Sequence, residues 1–283
     1  MKVRLLLSTQ RSGSHFLKSF VESRFPSVIC SGEVLEEPVA FARQLPALSS
    51  HPEFPHFWLW YASEAAARSI SVAPDRRIEA FELYLTKLTA LASPKDVVVD
   101  AKYNSIRSLS GYWDTDHGSN DFVSFITGHQ IPVLHLIRKN ILRVIISHKL
   151  AQQTGIWHRS KERPQDELLP KIRLNPGNVL SYIQYAHELT QNYQGLFSGC
   201  PNYEEIAYED LVRERDYPHT GPNLRTVAHF LGKKAAASNQ ATLPFKTTPE
   251  DPSEVVENWD EVHRTLRGTE YGWMVQAPFL AAA

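Results

Sequence analysis

Lys2-Val3-Arg4-Leu5-Leu6-Leu7-Ser8, Thr9-Gln10-Arg11-Ser12-Gly13-Ser14-His15 and Phe16-Leu17-Lys18-Ser19-Phe20-Val21-Glu22-Ser23 run consecutively, and their reading decides the fold. The first segment is mostly Val and Leu and reads as a buried strand. In the third, Phe16, Phe20 and Val21 recur at helical spacing. Between them lies a short loop of hydroxyl residues with one Gly and one Arg. A strand, a tight polar loop and a helix N-terminus together make an anion cradle, because backbone N–H groups and the helix dipole converge on one spot. Gly13 lets the backbone approach closely. Ser12 and Ser14 add hydroxyl donors, and Arg11 adds a planar cationic fork. The expected ligand is a phosphate or a sulfate ester. The alternative is an ordinary strand-to-helix turn capped by Ser12 or Ser14.

The loop lacks the Gly-x-x-x-x-Gly-Lys-Ser/Thr spacing of a Walker A sequence, and its cation precedes its one Gly. No Cys stands ahead of the Arg, as a phosphatase loop would require.

Further along, Val28–Glu33 reads as a short extended segment ending at Gly32-Glu33, and residues 77–92 as an amphipathic helix. Asp96-Val97-Val98-Val99-Asp100 is a β-branched run suited to an inner parallel strand. A helix over 119–128, a strand over 131–137 and a helix from Ile141 to Gln153 follow. The pattern continues with a long helix from Asn175-Pro176 to Phe197 and a short strand over 203–207. A helix ended by Gly232 comes next, then a last one capped by Ser253 and running through Leu266. Strand alternating with helix predicts an α/β chain in three layers, a P-loop-like parallel sheet wrapped on both faces. No repeat or composition shift divides the chain, so residues 1–283 are expected to form one domain. Two stretches read as insertions over the site: the Pro- and aromatic-rich 36–60, and the charged 156–175.

Lys plus Arg number 30 and Asp plus Glu 31, a net charge of −1. That argues against a general nucleic-acid binder. Two cysteines, Cys30 and Cys200, suit a reducing compartment. The first apolar run is short and holds Arg4, unlike a secretory leader, and no run is long enough to span a bilayer, so a cytoplasmic location is expected. No Cys/His pattern suggests a metal.

Ile137-Arg138-Lys139-Asn140-Ile141-Leu142-Arg143-Val144-Ile145-Ile146-Ser147 is the second informative stretch. Arg138 closes a strand, Asn140 can cap the helix, and Arg143 and Ser147 share a helix face. Parallel sheets bind ligands outside the carboxyl ends of their strands. Arg138 and the first loop therefore stand at one edge, as two anchors for a ligand with two separated phosphate groups.

The segment Thr9–Ser14 resembles the 5′-phosphosulfate loop of sulfotransferases, which use 3′-phosphoadenosine 5′-phosphosulfate (PAPS) as sulfuryl donor. The likeness is closest to bacterial carbohydrate sulfotransferases of the trehalose and nodulation-factor groups. Cytosolic members carry Lys where Arg11 stands. Arg138 with Ser147 resembles the family's 3′-phosphate site, with Ser nine residues after Arg rather than eight, and Lys139 competes with Arg138 for that role. Ala151–His158, Tyr208-Glu209-Asp210-Leu211, Asn258–Val262 and Leu266-Arg267-Gly268-Thr269 also look like family segments.

The resemblance implies a PAPS-dependent transferase that needs no metal, releases 3′-phosphoadenosine 5′-phosphate (PAP), and acts on a hydroxyl acceptor, a carbohydrate or glycolipid. It implies donor contacts from Gln10, Arg11, Ser12, Gly13, Ser14, His15, Arg138, Ser147, Arg267 and Gly268. Arg11 is expected to stabilise the leaving phosphate. Glu33 is the favoured base, with Glu37, His15 and His148 as rivals. Lys102, past a central strand, is a candidate for touching the sulfuryl group or the acceptor. Tyr103 and Trp157 are candidates for stacking on a sugar. Two other readings stay open: an atypical P-loop small-molecule kinase, with Asp100 as the tempting Mg²⁺ carboxylate, and a nucleotide-binding module without catalysis. No nucleic-acid partner and no integral membrane segment are expected. Oligomeric state stays open, a homodimer included.

Overall fold

The computed structural model describes residues 2–36, 54–68, 77–110, 121–157, 168–213, 221–236 and 248–276. Through the first half the elements are β1 (Val3–Ser8), α1 (Ser14–Arg24), β2 (Val28–Cys30), α2 (Phe57–Arg68), α3 (Arg77–Ala92), β3 (Asp96–Lys102), α4 (Tyr103–Ser110) and α5 (Asp121–Gly128). The second half adds β4 (Val133–Ile137), α6 (Ile141–Thr154), α7 (Pro176–Phe197), β5 (Tyr203–Ala207), α8 (Tyr208–Arg213), α9 (Pro222–Leu231) and α10 (Trp259–Arg267).

The strands form one parallel sheet in the order β2-β3-β1-β4-β5. β1 lies at its centre, with Leu6 beside Asp100 and Ser8 beside Lys102 on β3, and Ser8 beside Leu136 on β4. Side chains alternate between the faces. Leu5, Leu7, Val97, Val99 and Val133 meet Phe57, Phe81, Tyr84, Ile106 and Phe197 on one face. Leu6, Val98, Leu134 and Ile206 meet Phe16, Leu17, Phe20, Val227 and Phe230 on the other. Burying each such side chain contributes about 1.5–3 kcal/mol. This is the three-layer α/β architecture that the strand-helix alternation predicts.

The connection from β1 leads to one side of the sheet and that from β4 to the other. Their loops diverge at the carboxyl edge and leave a crevice there, the usual ligand position in such sheets. The alternation also determines what lies beneath the loop after β1. Ser8, Asp100 and Lys102 share the face that α1 covers, because they keep the parity of Leu6 and Val98.

Local chemistry sets the boundaries. Asn140 caps α6 by accepting from Arg143 N at 3.1 Å, and Gly155 ends that helix in the left-handed region. Asn175 caps α7, with Pro176 in its first turn.

The structure departs from the sequence reading in several places. Residues 57–68 are helical, and Phe54, Phe57 and Tyr61 lie in the core. Residues 37–53, with Glu37, lie outside the described residues, as do 158–167. Within the remainder of the charged stretch, Ile172 and Leu174 are buried and Ile172 forms a β-bridge with Val256, while Leu168, Lys171, Arg173 and Asn175 are exposed, so 168–175 is loop pinned to the body at two residues. Ser253 does not cap the last helix. Asp251 caps a short 3-10 turn there by accepting from Ser253 N at 2.9 Å, and α10 begins after Asn258. Tyr103 is core as well, stacked on Tyr193 at 4.0 Å between ring centroids.

Candidate functional site

The loop from Thr9 to Gly13 joins the central strand to α1. Arg11 and Gly13 both have positive φ, 59° and 96°. No side chain caps α1. Ser12 Oγ donates to Thr9 O at 2.7 Å, and Ser14 Oγ accepts from Lys102 Nζ at 2.6 Å. The turn is therefore not capped by Ser12 or Ser14: the N-cap position is Gly13, which has no side chain to close the end of α1.

Beneath the loop lies a buried charged cluster. Lys102 ends β3 with 1% of its side chain exposed. Its ammonium donates to Ser8 Oγ at 3.0 Å, to Ser14 Oγ and to Asp100 Oδ1 at 2.9 Å, and it lies 3.5 Å from Glu33 Oε1. Lys18, reaching in from α1, pairs with Asp100 Oδ2 at 3.0 Å. Burial opposes the charge on Asp100, but Lys102 and Lys18 outweigh it and hold the carboxyl below its ordinary range. Burial likewise opposes the Lys18 charge, and Asp100 and Glu33 outweigh it, so its pKa is raised. Half-buried His15 faces the same charges. Burial first and Lys18 second lower its pKa, which leaves a neutral imidazole at pH 7 that can accept a proton.

On the other side of the loop the two expected anchors are one cluster. Arg11 donates from Nε and Nη2 to Ser147 Oγ at 3.2 and 2.7 Å, and from Nη1 to Trp157 O at 2.6 Å. Arg138 donates from Nη1 to Arg11 O at 2.9 Å. Burial, then the neighbouring Arg138, lower the Arg11 pKa to about 10, which still leaves it a cation at neutral pH. His148 packs edge-on against Trp157, and burial, then Arg11, lower its pKa too. Gln10 is half-buried in the loop. Arg267 and Gly268 are exposed at the end of α10, with no hydrogen bond to the loop among the described residues.

The sequence reading missed the residues that lock these pieces together. The Tyr208 ring packs over Gly13, lies under Arg138 at 4.6 Å and meets Phe16 edge-on. Buried Glu209 accepts from Lys139 N at 3.1 Å and Asn140 N at 3.0 Å and so fixes the turn after β4. The phrase Tyr208–Leu211 stood out in the sequence, but its residues had no assigned role. Asp100 and Lys18 also hold the site, and only the strand register could have shown that.

Glu36 is 2% exposed, three residues past Glu33. It accepts from Asn104 Nδ2 at 3.0 Å and Ser105 Oγ at 3.2 Å, beside the start of α4. Burial, then Glu33, raise its pKa. A raised folded value means that the protonated form suits the fold better. Its contribution is complete below the unfolded pKa of about 4.3 and is lost as pH rises through the folded value. Glu36→Gln removes that loss. Urea unfolding at pH 4.5 and 7.5 is expected to show the variant gaining on the wild type as pH rises. An unchanged difference between the two pH values would mean that Glu36 does not titrate in this window.

No protein-family model matches the chain, and no curated protein matches it. Among solved structures, a sulfotransferase domain from the curacin biosynthetic pathway aligns with 98% of this chain and 83% of its own, at 13% identity and a TM-score of 0.42. At that distance the likeness carries no argument about activity. No described helix is long and apolar enough to cross a membrane.

Proposed function

We propose that this protein is a sulfotransferase that moves the sulfuryl group of PAPS to the hydroxyl of a carbohydrate or glycolipid. One observation carries the reading. An uncapped helix N-terminus opens into the crevice of a parallel sheet, with Arg11 and Arg138 on one side and the Lys18–Asp100–Lys102 cluster beneath. That is a site for a multiply charged anion, and cations held by the fold supply the charge.

In this reading the N–H groups of residues 12–15 and the Ser14 hydroxyl hold the 5′-phosphate, and Arg11 offsets charge on it as it leaves. Ser147 and Arg138 serve the 3′-phosphate. Glu33, 26% exposed and 3.5 Å from Lys102, takes the acceptor proton. The acceptor oxygen forms its bond to sulfur as the bond from sulfur to the phosphate oxygen breaks, the proton goes to Glu33, and PAP is the leaving group. Such transfers need positioning and charge stabilisation more than covalent help from the protein.

The kinase alternative has Asp100 as its tempting Mg²⁺ carboxylate. Its two oxygens are engaged by two buried ammonium groups, which speaks against that role. The test is calorimetric titration with PAP, without metal, on wild type, Arg11→Ala and Arg138→Ala. Wild type is expected to bind with micromolar affinity, and each substitution to weaken binding by about 2 kcal/mol, the scale of a lost charged hydrogen bond. Binding of ATP with Mg²⁺ but not of PAP would replace this reading with the kinase. Tight PAP binding with no turnover on any hydroxyl acceptor would leave a binding module.

A further inference from the structure

Lys102 has three N–H donors, and the protein uses all of them. They go to Asp100, Ser14 and Ser8, at 2.9, 2.6 and 3.0 Å. With 1% of its side chain exposed, the ammonium offers no face to a ligand in the crevice. Ser14 is placed differently. Its oxygen accepts from Lys102, and among the described residues its hydroxyl donates to no protein group. It begins α1 directly after Gly13, at the uncapped end of the helix. An oxygen that accepts from an ammonium on one side must direct its own proton elsewhere, and a hydroxyl polarised in this way is a stronger donor.

We propose that Lys102 is a positioning residue that acts on the bound anion through Ser14 and does not touch it, in a relay from Asp100 through Lys102 and Ser14 to the anion. Asp100 holds the ammonium in place, and Lys18 on the other carboxylate oxygen leaves the buried trio with a net positive charge. The relay rests on reading the loop as the PAPS site. It changes what Lys102 does there, from a contact with the sulfuryl group to control of a hydroxyl proton.

A double-mutant cycle separates the two roles. Lys102→Met, Ser14→Ala and the double variant are checked for folding by circular dichroism and titrated with PAP and with pyrophosphate. Each single substitution is expected to weaken PAP binding about tenfold. In the Ser14→Ala background, Lys102→Met should add less than about threefold, because the relay is already cut. Ser14→Thr, which keeps the hydroxyl, should bind within about threefold of wild type. Additive losses would overturn the proposal, and so would a Ser14→Ala variant that binds like wild type. If Lys102→Met does not fold, Lys102→Leu takes its place in the cycle; if that fails too, Lys102→Gln, which removes the charge but keeps an amide N–H, should still show a smaller loss in the Ser14→Ala background than in wild type, and equal losses overturn the proposal. If wild type ignores PAP, the donor assignment fails, and the cycle is read with pyrophosphate. Coupling there still supports the relay. Additivity, or no binding of either anion, overturns it.

Discussion

Asp100→Ala is expected to be among the most destabilising single substitutions in the chain. Its side chain is fully buried and carries Lys18 Nζ at 3.0 Å and Lys102 Nζ at 2.9 Å. Removing one partner of a buried ion pair costs about 3–5 kcal/mol, because the other charge stays buried without compensation. Here two buried ammonium groups lose their partner, and the carboxylate that remains near them is Glu33, 3.5 Å from Lys102. Against a total stability of about 5–15 kcal/mol this is a large share. The melting temperature should fall by about 10 °C or more.

The pH window follows from the two shifts. Asp100 has a depressed pKa, so its contribution is present above the unfolded carboxylate value and is lost only as pH falls through the lower folded one. Lys18 has a raised pKa, so its contribution is present below the unfolded lysine value and is lost as pH rises through the higher folded one. The deficit should therefore hold from about pH 5 to pH 9. Adding Lys18→Met to Asp100→Ala removes one of the orphaned charges, and the double variant should melt higher than the single. A double variant that melts lower would show that the lysines do not depend on Asp100 for compensation.

That cluster also shows where the sequence stops being informative. β1 and β3 could be read directly because buried parallel strands need runs of apolar side chains, and Leu5–Leu7 and Val97–Val99 supply them; in β4, Val133, Leu134, Leu136 and Ile137 do so around the single polar His135. The loop at 9–13 could be read because few residue types suit a strand-to-helix turn around an anion. The helix over 57–68 could not, because Pro52 and Pro55 stand just ahead of it, and nothing local says that a Pro-rich run gives way to a helix at once. α4 was missed for a related reason: it is short, and it begins with Tyr103-Asn104-Ser105, polar residues that equally suit a loop. The link from Lys18 to Asp100 spans 82 positions and depends on Leu6 and Asp100 standing side by side. Parity along a strand gives the face of a residue, but only the register gives its neighbours. Arg138 was expected at the carboxyl edge and lies there, but its grip on the Arg11 carbonyl depends on a backbone with positive φ at a non-glycine residue.

Gly13→Ala is the second large effect. Its φ of 96° is strained for any residue with a Cβ, at about 1 kcal/mol. The Cβ would also sit inside the Tyr208 ring, against Cδ2 and Cε2. That ring has little room to retreat, since Phe16 meets it edge-on and Arg138 lies 4.6 Å from its centre. Overpacking of this kind costs about 1–3 kcal/mol, so the total should reach about 2–4 kcal/mol. Pushing the ring outward also displaces Arg138, which holds the loop through Arg11 O. With the loop as the proposed PAPS site, PAP affinity should therefore fall by more than about tenfold, well beyond what the lost stability alone produces in a protein that remains folded. Tyr208→Ala separates the two causes. Placed behind Gly13→Ala it makes room for the methyl group but leaves the φ strain, so the double variant should be more stable than the sum of the two single losses, by about the overpacking share. Urea denaturation of the four proteins measures this directly. A strictly additive result would mean that the loop backbone, rather than the Tyr208 ring, gives way to the new methyl group.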